Sequence, residues 1–308
     1  MTTLPASPFR GCGTALITPF RSDLSVDEAA LRHIVRFQIA EGIHFLVPGG
    51  TTGETPTLSH EEHRRVVAIA LEERQAASRP VPILAGAGGN NTAGVCTFAR
   101  ELEALGADGI LSVAPYYNKP TQEGLYQHFA AIANAVRIPV VLYNVPGRTS
   151  SNIEPATVAR LAAIPNIIGI KEASGSINQI GDVIAAVPSD FLVLSGDDAM
   201  TLPLMVLGGQ GLVSVASNAI PGPMSALVQA ALLGNWQEAR RLHFHWLPLL
   251  QANFIESSPI PVKAVMAHLG LCQEVYRLPM VPLQAANREK LMAVVERLKV
   301  TVPATIRG

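Results

Sequence analysis

The 308-residue sequence has little of several features that would each indicate a particular class of protein. It has three cysteines, Cys12, Cys96 and Cys272, and their odd number and wide spacing argue against a disulfide framework or a cysteine zinc site. With 23 basic and 24 acidic side chains, its formal net charge of -1 gives no broad positive field for nucleic acid or anionic lipid. Residues 1–10 lack the basic start and apolar core of a secretory signal. We therefore expect a cytoplasmic protein with neither a nucleic-acid nor a membrane partner.

One uncharged stretch, residues 199–237, is longer than a bilayer span. Glycines at 208 and 209 and prolines at 221 and 223 interrupt it, which a membrane helix would tolerate poorly. We interpret this stretch as buried strand, loop and helix of a globular fold.

Eight short apolar runs recur along the chain, and their first residues lie 20 to 37 residues apart with helical patterns between them. This spacing is the period of a strand-helix unit, and nearly continuous apolar runs are typical of parallel strands covered on both faces. The predicted strands are 14–18, 44–48, 81–85, 109–114, 138–144, 167–171, 191–195 and 211–216.

Eight such units favour a closed (β/α)8 TIM barrel over a doubly wound open sheet. The open sheet often carries a Gly-rich phosphate turn after its first strand, whereas here Gly11-Cys12-Gly13 precedes the first predicted strand. We therefore predict an α/β fold, a TIM barrel with a C-terminal helical extension.

Helix signals divide the chain into two predicted domains. Residues 25–28 and 59–62 have the pattern of a capping box, so helices are expected after the first two strands. We predict a catalytic barrel at 1–235 and an α-helical domain at 236–308. The helical segments of the second domain are expected at 236–250, 261–269 and 285–298.

Lysine is scarce, and one lysine lies where such a barrel holds its reactive groups. Five of the 23 basic residues are lysine, and Lys171 ends the apolar run that begins at Ile167. Reactive groups sit at the carboxyl ends of barrel strands, and an apolar setting favours the free amine, which attacks carbonyl carbons. Lys171 is therefore a candidate Schiff-base lysine for a keto substrate. The alternative is an ion pair with Glu172 or an ammonium group that reaches the rim.

Other strand ends carry residues suited to a small acid. Thr51 and Thr52 lie among three glycines, a composition that lets backbone N–H groups converge on a carboxylate or phosphate, but also the composition of an ordinary turn. Tyr143 and the Tyr116-Tyr117 pair bring phenols to the same rim, as proton relays or as buried tyrosines with satisfied hydroxyls. Arg148 is suited to a second carboxylate, with a surface arginine as the alternative.

His60 and His63 are three residues apart beside two glutamates, a pattern that invites a metal hypothesis. They fall in the first turn of a predicted helix, no third ligand is evident, and HExxH is absent. A serine nucleophile elbow and a Walker loop are absent as well. We therefore expect no metal site.

Five motifs together resemble the dihydrodipicolinate synthase (4-hydroxy-tetrahydrodipicolinate synthase) family, from about residue 13 to residue 282. They are Gly-Thr-Thr-Gly-Glu at 50–54, Tyr-Tyr-Asn-Lys-Pro at 116–120, Tyr-Asn-Val-Pro-Gly-Arg-Thr at 143–149, Gly-Ile-Lys-Glu-Ala at 169–173 and Ser-Gly-Asp-Asp at 195–198. The resemblance implies a pyruvate-dependent class I aldolase barrel, a homotetramer built as a dimer of dimers, and a place in diaminopimelate and lysine biosynthesis.

The resemblance also implies the chemistry and the catalytic residues. The family's lyases condense pyruvate with L-aspartate 4-semialdehyde to give 4-hydroxy-tetrahydrodipicolinate, through a covalent lysine-pyruvate imine and without a cofactor. By this resemblance Lys171 forms the imine, and Tyr143 transfers protons through Thr51 to Tyr117, which a neighbouring subunit supplies.

Further positions are implied for substrate binding and for regulation. The loop of Thr51 and Thr52 receives the pyruvate carboxylate, Arg148 holds the carboxylate of the semialdehyde, and Gly196 and Val213 line the pyruvate pocket. A regulatory lysine site in relatives matches His60, His63, Asn90 and Tyr116. At that site Gly94 stands where lysine-inhibited relatives have an acidic side chain, so we expect weak or absent feedback by lysine.

Two alternative functions remain open from the sequence. One is another pyruvate aldolase of the superfamily, an N-acetylneuraminate lyase or a 2-keto-3-deoxy sugar acid aldolase or dehydratase. Arg148 and the Thr51-Thr52 pair favour the synthase, since sialic acid lyases usually have Ser-Thr there and lack the arginine. The other is a catalytically idle paralogue that binds pyruvate or an amino acid, which the intact set of reactive residues makes a poor fit.

Overall fold

The computed structural model describes residues 7–303, and parallel β-strands form the centre of this part of the chain. The ends of the two predicted domains, residues 1–6 and 304–308, lie outside the described residues. The strands are β1 (Gly11–Ala15), β2 (Phe45–Val47), β3 (Leu84–Gly86), β4 (Gly109–Val113), β5 (Val140–Asn144), β6 (Ile167–Glu172), β7 (Leu192–Ser195) and β8 (Gly211–Ser214).

The eight strands form a nearly closed barrel. Their hydrogen-bonded order is β2-β1-β8-β7-β6-β5-β4-β3, and each ladder in that order is parallel. A parallel bridge between Leu46 and Ile83 brings β2 and β3 together, and the Gly86 N–H donates to the Pro48 carbonyl at 2.9 Å. The predicted TIM barrel is confirmed, and the carboxyl ends of all eight strands therefore meet at one mouth.

The first strand begins earlier than the sequence pattern predicts. Residues 11–13 were expected to precede it, but Gly11 pairs with Gly211 in β8 and Gly13 pairs with both β8 and β2. A Cβ added at Gly13 would lie 2.1 Å from the Phe45 ring, so the glycine makes room for that ring inside the barrel. The prediction was wrong because glycine has low strand propensity, whereas packing decides this position.

Helices follow the strands and surround the barrel. They are α1 (Glu28–Ala40), α2 (His60–Ala76), α3 (Thr92–Leu105), α4 (Gln122–Ala135), α5 (Pro146–Thr149), α6 (Pro155–Leu161), α7 (Ile177–Ala186), α8 (Thr201–Val206), α9 (Pro221–Leu232), α10 (Trp236–Ala252), α11 (Ile260–His268) and α12 (Ala285–Arg297). The helical segments expected after residue 235 are present as α10, α11 and α12, with ends shifted by one or two residues.

One of the two predicted capping boxes is present. Ser59 accepts a hydrogen bond from the Glu62 N–H at 3.1 Å, and the Glu62 carboxylate accepts from the Ser59 N–H at 2.8 Å. The box predicted at Ser25 is wrong, because Asp27 caps α1 by accepting from the Ala30 N–H. A carboxylate one residue before the helix takes the role that the serine pattern had suggested.

Two apolar layers hold the barrel together. The outer layer lies between strands and helices, and the inner layer fills the barrel. At the amino end of the inner layer the rings of Phe9 and Phe45 meet edge to face, with centroids 5.7 Å apart. Tyr143 and Val145 lie at its carboxyl end. Because the interior below is filled, any site must lie at the mouth.

The uncharged stretch at 199–237 forms α8, β8, a 3₁₀ turn at Ala216–Asn218, α9 and the first residues of α10. Within residues 7–303, no helix combines the length and apolar character needed to cross a membrane. The predicted boundary between residues 235 and 236 falls between α9 and α10, and the division into domains stays a prediction.

Candidate active site

Lys171 lies near the carboxyl end of β6 and points into the mouth of the barrel. Its Cα pairs with Tyr143 in β5 and with Leu194 in β7. The side chain is 6% exposed, and its Nζ lies 4.0 Å from the centroid of the Tyr143 ring. An amine held against an aromatic face in a mostly apolar setting is available to a carbonyl that enters the mouth.

Glu172, the next residue, is buried and takes its partners elsewhere. Its carboxylate accepts from the Ser174 N–H at 2.6 Å and from Asn144 Nδ2 at 3.1 Å. Successive residues of a strand point to opposite faces, so Glu172 and Lys171 diverge. No ion pair of residues 7–303 includes Lys171, and the alternative of a Lys171–Glu172 pair is wrong.

Gly196, directly after β7, makes room for the lysine side chain. A Cβ at this position would lie 2.7 Å from the Ala173 Cβ, 3.0 Å from Lys171 Cε and 3.2 Å from Lys171 Cγ. Real Cβ atoms do not approach that closely without displacing a neighbour. The glycine therefore keeps the Lys171 stem in its observed path.

Two adjoining cavities open beside Lys171. The larger, of about 400 Å³, is also lined by Tyr116 and Thr55, and the smaller, of about 130 Å³, by Thr52, Gly196 and Asp197. Together they suit two small polar substrates on either side of one amine. Both cavities share the side chains of Lys171, Tyr143, Thr51, Val145 and Arg148.

The Thr51-Thr52 segment forms a tight 3₁₀ turn, Thr51–Gly53, at the edge of both cavities. The Gly53 N–H donates to the Gly50 carbonyl at 3.0 Å, and Thr52 is 5% exposed. In the described part of the chain, the N–H groups of Thr51 and Thr52 donate to no protein acceptor. The first N–H groups of such a turn lack partners within it, and a carboxylate can accept from both.

Arg148 lies in the short helix α5 and lines both cavities from the solvent side. Its Nη2 lies 3.5 Å from the Ser258 carbonyl, which brings the segment after α10 to the mouth. The guanidinium is exposed enough to receive a carboxylate by bidentate hydrogen bonds. Ser258 and Phe254, which also line the smaller cavity, carried no signal in the sequence.

Two residues implied by the family resemblance do not line these cavities. Val213 lies in β8 within the inner apolar layer, 1% exposed. Tyr117 is 88% exposed, and its backbone has a left-handed φ of 68° that turns the chain outward after β4. Its phenol is not part of the site of its own chain in the described residues.

The positions of the implied regulatory site lie beside the mouth, around a separate cavity of about 210 Å³. Asn90 and Gly94 line this cavity, and Asn90 Nδ2 donates to the Tyr116 carbonyl at 3.4 Å. Tyr116 also lines the larger cavity next to Lys171. The two cavities are therefore neighbours connected through Tyr116.

The two histidines of that region have different surroundings. His63 packs against the Phe98 ring, with centroids 4.5 Å apart, and burial lowers the pKa of His63 to about 4. His60 is exposed, and its Nε2 lies 2.8 Å from the Glu101 carboxylate. Residues 7–303 contain no cluster of three or more histidine, cysteine, aspartate or glutamate side chains arranged to hold a metal ion.

Asp198, three residues after the end of β7, supports the mouth, a role that the sequence did not reveal. Its carboxylate accepts from Ser214 Oγ at 2.5 Å and from the N–H groups of Val215 and Ala216 at 3.0 and 3.1 Å. Burial raises the pKa of Asp198 to about 6. The carboxylate thus fixes the loop after β8 beside the smaller cavity.

A buried ion pair between Glu54 and Lys263 is the other feature that the sequence did not reveal. Glu54 is the last residue of the motif at 50–54, and nothing in that motif indicates a buried partner for its carboxylate. Lys263 could have been noticed from the sequence, because it is a charged residue in the otherwise apolar segment 260–266 and one of five lysines in the chain.

The chain matches known proteins along nearly its whole length. The family model described as "Dihydrodipicolinate synthetase family" matches residues 8–298. A curated protein of Koribacter versatilis, named 4-hydroxy-tetrahydrodipicolinate synthase, is 59% identical over 298 residues, 96% of this chain and 98% of that protein. A protein of the same name from Acidobacterium capsulatum is 56% identical over 283 residues, 91% and 93% of the two chains.

Solved structures of similar proteins have the same fold. The 4-hydroxy-tetrahydrodipicolinate synthase of Methylacidiphilum fumariolicum SolV superposes with a TM-score of 0.92 at 45% identity, covering 94% of this chain and 96% of that one. A likeness of this degree extends beyond the barrel to the C-terminal helices.

Proposed function

The chain belongs to the dihydrodipicolinate synthetase family, and from this premise we propose that it condenses pyruvate with L-aspartate 4-semialdehyde to give 4-hydroxy-tetrahydrodipicolinate. The observation that carries the proposal is the Lys171 amine, 6% exposed, 4.0 Å from the Tyr143 ring and open to both cavities. The names of the close relatives favour this synthase over a sialic acid lyase or a 2-keto-3-deoxy acid aldolase.

The first half of the reaction activates pyruvate. The neutral amine of Lys171 attacks the keto carbon, water leaves, and a protonated imine forms. The N–H groups of Thr51 and Thr52 donate hydrogen bonds to the pyruvate carboxylate and hold the keto carbon over the amine. The imine withdraws electrons from the methyl group, which loses a proton and becomes the nucleophilic carbon of an enamine.

The second half joins the two substrates and frees the enzyme. The enamine carbon attacks the aldehyde carbon of the semialdehyde, whose carboxylate Arg148 binds. The amine of the new chain then attacks the imine carbon, closes the ring and releases Lys171. Tyr143 lies against the amine and is placed to move protons during these steps, with the Thr51 hydroxyl as its relay.

The chemistry of this scheme needs no cofactor, because the lysine-pyruvate imine supplies the electron sink. We extend the proposal to a homotetramer, a dimer of dimers, in which Tyr117 enters the site of a neighbouring copy. The outward position of this tyrosine, 88% exposed, supports that arrangement. A cytoplasmic location is also part of the proposal, supported by three free cysteines.

The test is turnover of purified protein with pyruvate and aspartate semialdehyde, coupled to the reductase that consumes the product. We expect turnover with this pair and none with sialic acid or 2-keto-3-deoxygluconate. In parallel, pyruvate and borohydride should add one adduct mass to Lys171, read by mass spectrometry of peptides. An adduct at another residue, or none, would contradict the assignment of the amine.

Lys171→Met is the matched variant, because methionine fills a similar volume and cannot form an imine. We expect a folded protein without adduct and without turnover. A Lys171→Met protein that still condenses the two substrates would refute the proposed mechanism.

A further inference from the structure

A fully buried ion pair joins the C-terminal helices to the loop that carries Thr51 and Thr52. Lys263 Nζ in α11 lies 2.6 Å from Glu54 Oε1, and the two side chains are 0% and 1% exposed. Two aromatic rings also face the ammonium, with the Phe20 ring centroid at 4.2 Å and that of Tyr276 at 5.3 Å. Within residues 7–303, Lys263 has no other carboxylate partner.

Glu54 is the residue at which this loop changes direction. It lies between the 3₁₀ turns Thr51–Gly53 and Thr55–Thr57, with φ 53° and ψ 32°, a left-handed conformation that is uncommon for a glutamate. Its N–H donates to the Thr51 carbonyl at 3.1 Å. The position of Glu54 therefore determines the orientation of the turn Thr51–Gly53.

Other contacts fix the same point from neighbouring elements. The Thr18 hydroxyl donates to the Gly53 carbonyl at 2.7 Å, and the Arg277 N–H donates to Glu54 Oε2 at 3.4 Å. A buried ion pair is weak as a source of stability, because desolvation opposes the attraction, but it fixes one orientation strongly once formed. What the pair provides here is a fixed place for the glutamate.

We infer that the Glu54–Lys263 ion pair positions the Thr51-Thr52 turn for the carboxylate of the keto acid. Both residues are positioning residues that act through the turn and do not touch substrate. The inference rests on the proposed function, since it assumes that this turn binds pyruvate. It assigns the C-terminal helix α11 a part in substrate binding.

The test compares Glu54→Gln, Lys263→Met and the double variant Glu54→Gln/Lys263→Met. Each single variant leaves one buried charged group without its charged partner and should be less stable, whereas the double variant removes both charges and should regain thermal stability. The decisive measurement is the pyruvate concentration that gives half-maximal borohydride trapping on Lys171. This concentration does not depend on the fraction of folded protein.

We expect the double variant to need roughly tenfold more pyruvate, because a misplacement of about 1 Å can cost on the order of a hundredfold and a smaller displacement of the turn should cost less. Its KM for aspartate semialdehyde should stay near the wild-type value, since Arg148 hydrogen-bonds to neither residue of the pair. A stable double variant with wild-type pyruvate dependence would overturn the inference and leave the pair a purely structural feature.

A further variant, Glu54→Asp, keeps the charge and shortens the side chain by one methylene. It tests the inference even if the double variant does not fold. It should also raise the half-maximal pyruvate concentration, and an unchanged value would again overturn the inference. Asp108→Asn is the control, because the Arg74–Asp108 pair, 2.5 Å apart, lies at the amino end of the barrel before β4. It should lower stability without changing the pyruvate dependence.

The same experiment separates this inference from the proposed function. If the wild-type protein forms no adduct at Lys171, the proposed function fails. If it forms the adduct and the variants respond to pyruvate as the wild type does, only the positioning role fails.

Discussion

Gly196→Ala is a minimal perturbation of the Lys171 side chain that removes none of the reactive groups. The added methyl would lie 2.7 Å from the Ala173 Cβ, 3.0 Å from Lys171 Cε and 3.2 Å from Lys171 Cγ. Ala173 follows β6 directly, so its Cβ can yield only with the backbone. The flexible lysine stem is therefore the part that moves.

The magnitude follows from these distances. Overpacking by one methyl in a filled site costs about 1–3 kcal/mol of unfolding free energy. Relief through the lysine stem moves the amine away from the Tyr143 ring, and a misplacement of about 1 Å can slow a reaction by on the order of a hundredfold. We expect imine formation to slow by roughly ten- to a hundredfold, with a moderate loss of stability.

Rapid borohydride quenching at a series of times gives the rate of imine formation with pyruvate, and equilibrium denaturation gives the stability. The control is Gly181→Ala in α7, where the nearest atom to the added Cβ is Leu207 Cδ1 at 3.9 Å. This substitution should stabilise the protein by up to about 1 kcal/mol through helix propensity and leave imine formation unchanged. A Gly196→Ala protein with the wild-type rate would refute the argument that this glycine sets the path of the amine.

Three further outcomes are expected at other positions around the mouth. Tyr143→Phe should keep the adduct at Lys171 but slow turnover by about a hundredfold or more, as loss of a proton-transfer group does; equal turnover in a steady-state assay would exclude that role. Burial raises the folded-state pKa of Asp198 from 3.8 to about 6, so the folded protein holds this proton more tightly than the unfolded chain. The resulting contribution to the free energy of unfolding is fully present below pH 3.8 and is lost as the pH rises to 6. As the pH rises from 3.8 to 6, the free energy of unfolding of Asp198→Asn, measured by chemical denaturation, should therefore increase by roughly 3 kcal/mol relative to that of the wild type. A stability difference that does not change with pH would contradict this expectation. Lysine should inhibit the wild-type enzyme weakly or not at all, and Gly94→Glu, whose Cβ would lie no closer than 3.4 Å to Asn91, should strengthen inhibition; micromolar inhibition of the wild type would refute the expectation.

Much of the barrel could be predicted because its strands carry the signal locally. A parallel strand that is covered on both faces must be apolar along its length, so each strand is visible as a run without reference to the others. The start of β1 escaped prediction because Gly13 is there to make room for the Phe45 ring. That requirement belongs to a pair of residues on neighbouring strands, and no window of the sequence contains both.

The candidate site divides in the same way. Lys171, Tyr143, Thr51 and Arg148 follow strand ends within short motifs, and they line the same two cavities. The Glu54–Lys263 pair joins residues 209 positions apart, so neither partner predicts the other. The role proposed for Tyr117 requires a second copy of the chain, and local sequence gives no measure of such a contact.

The meeting of Lys171 with Tyr143 depends on an irregularity that sequence patterns do not show. In the β5–β6 ladder Val140 pairs with Ile167, but Val141 pairs with Gly169, so Ile168 is an extra residue in β6. A regular ladder from the same starting pair would place Ile170 opposite Tyr143, with the lysine one position further along. Since neighbouring residues of a strand face opposite sides, a shift by one residue exchanges the faces relative to the partner strand. Bulges of this kind are common next to active sites, where they redirect a side chain. The position of the reactive amine therefore depends on one unpaired residue near the start of β6, about three residues before the lysine itself.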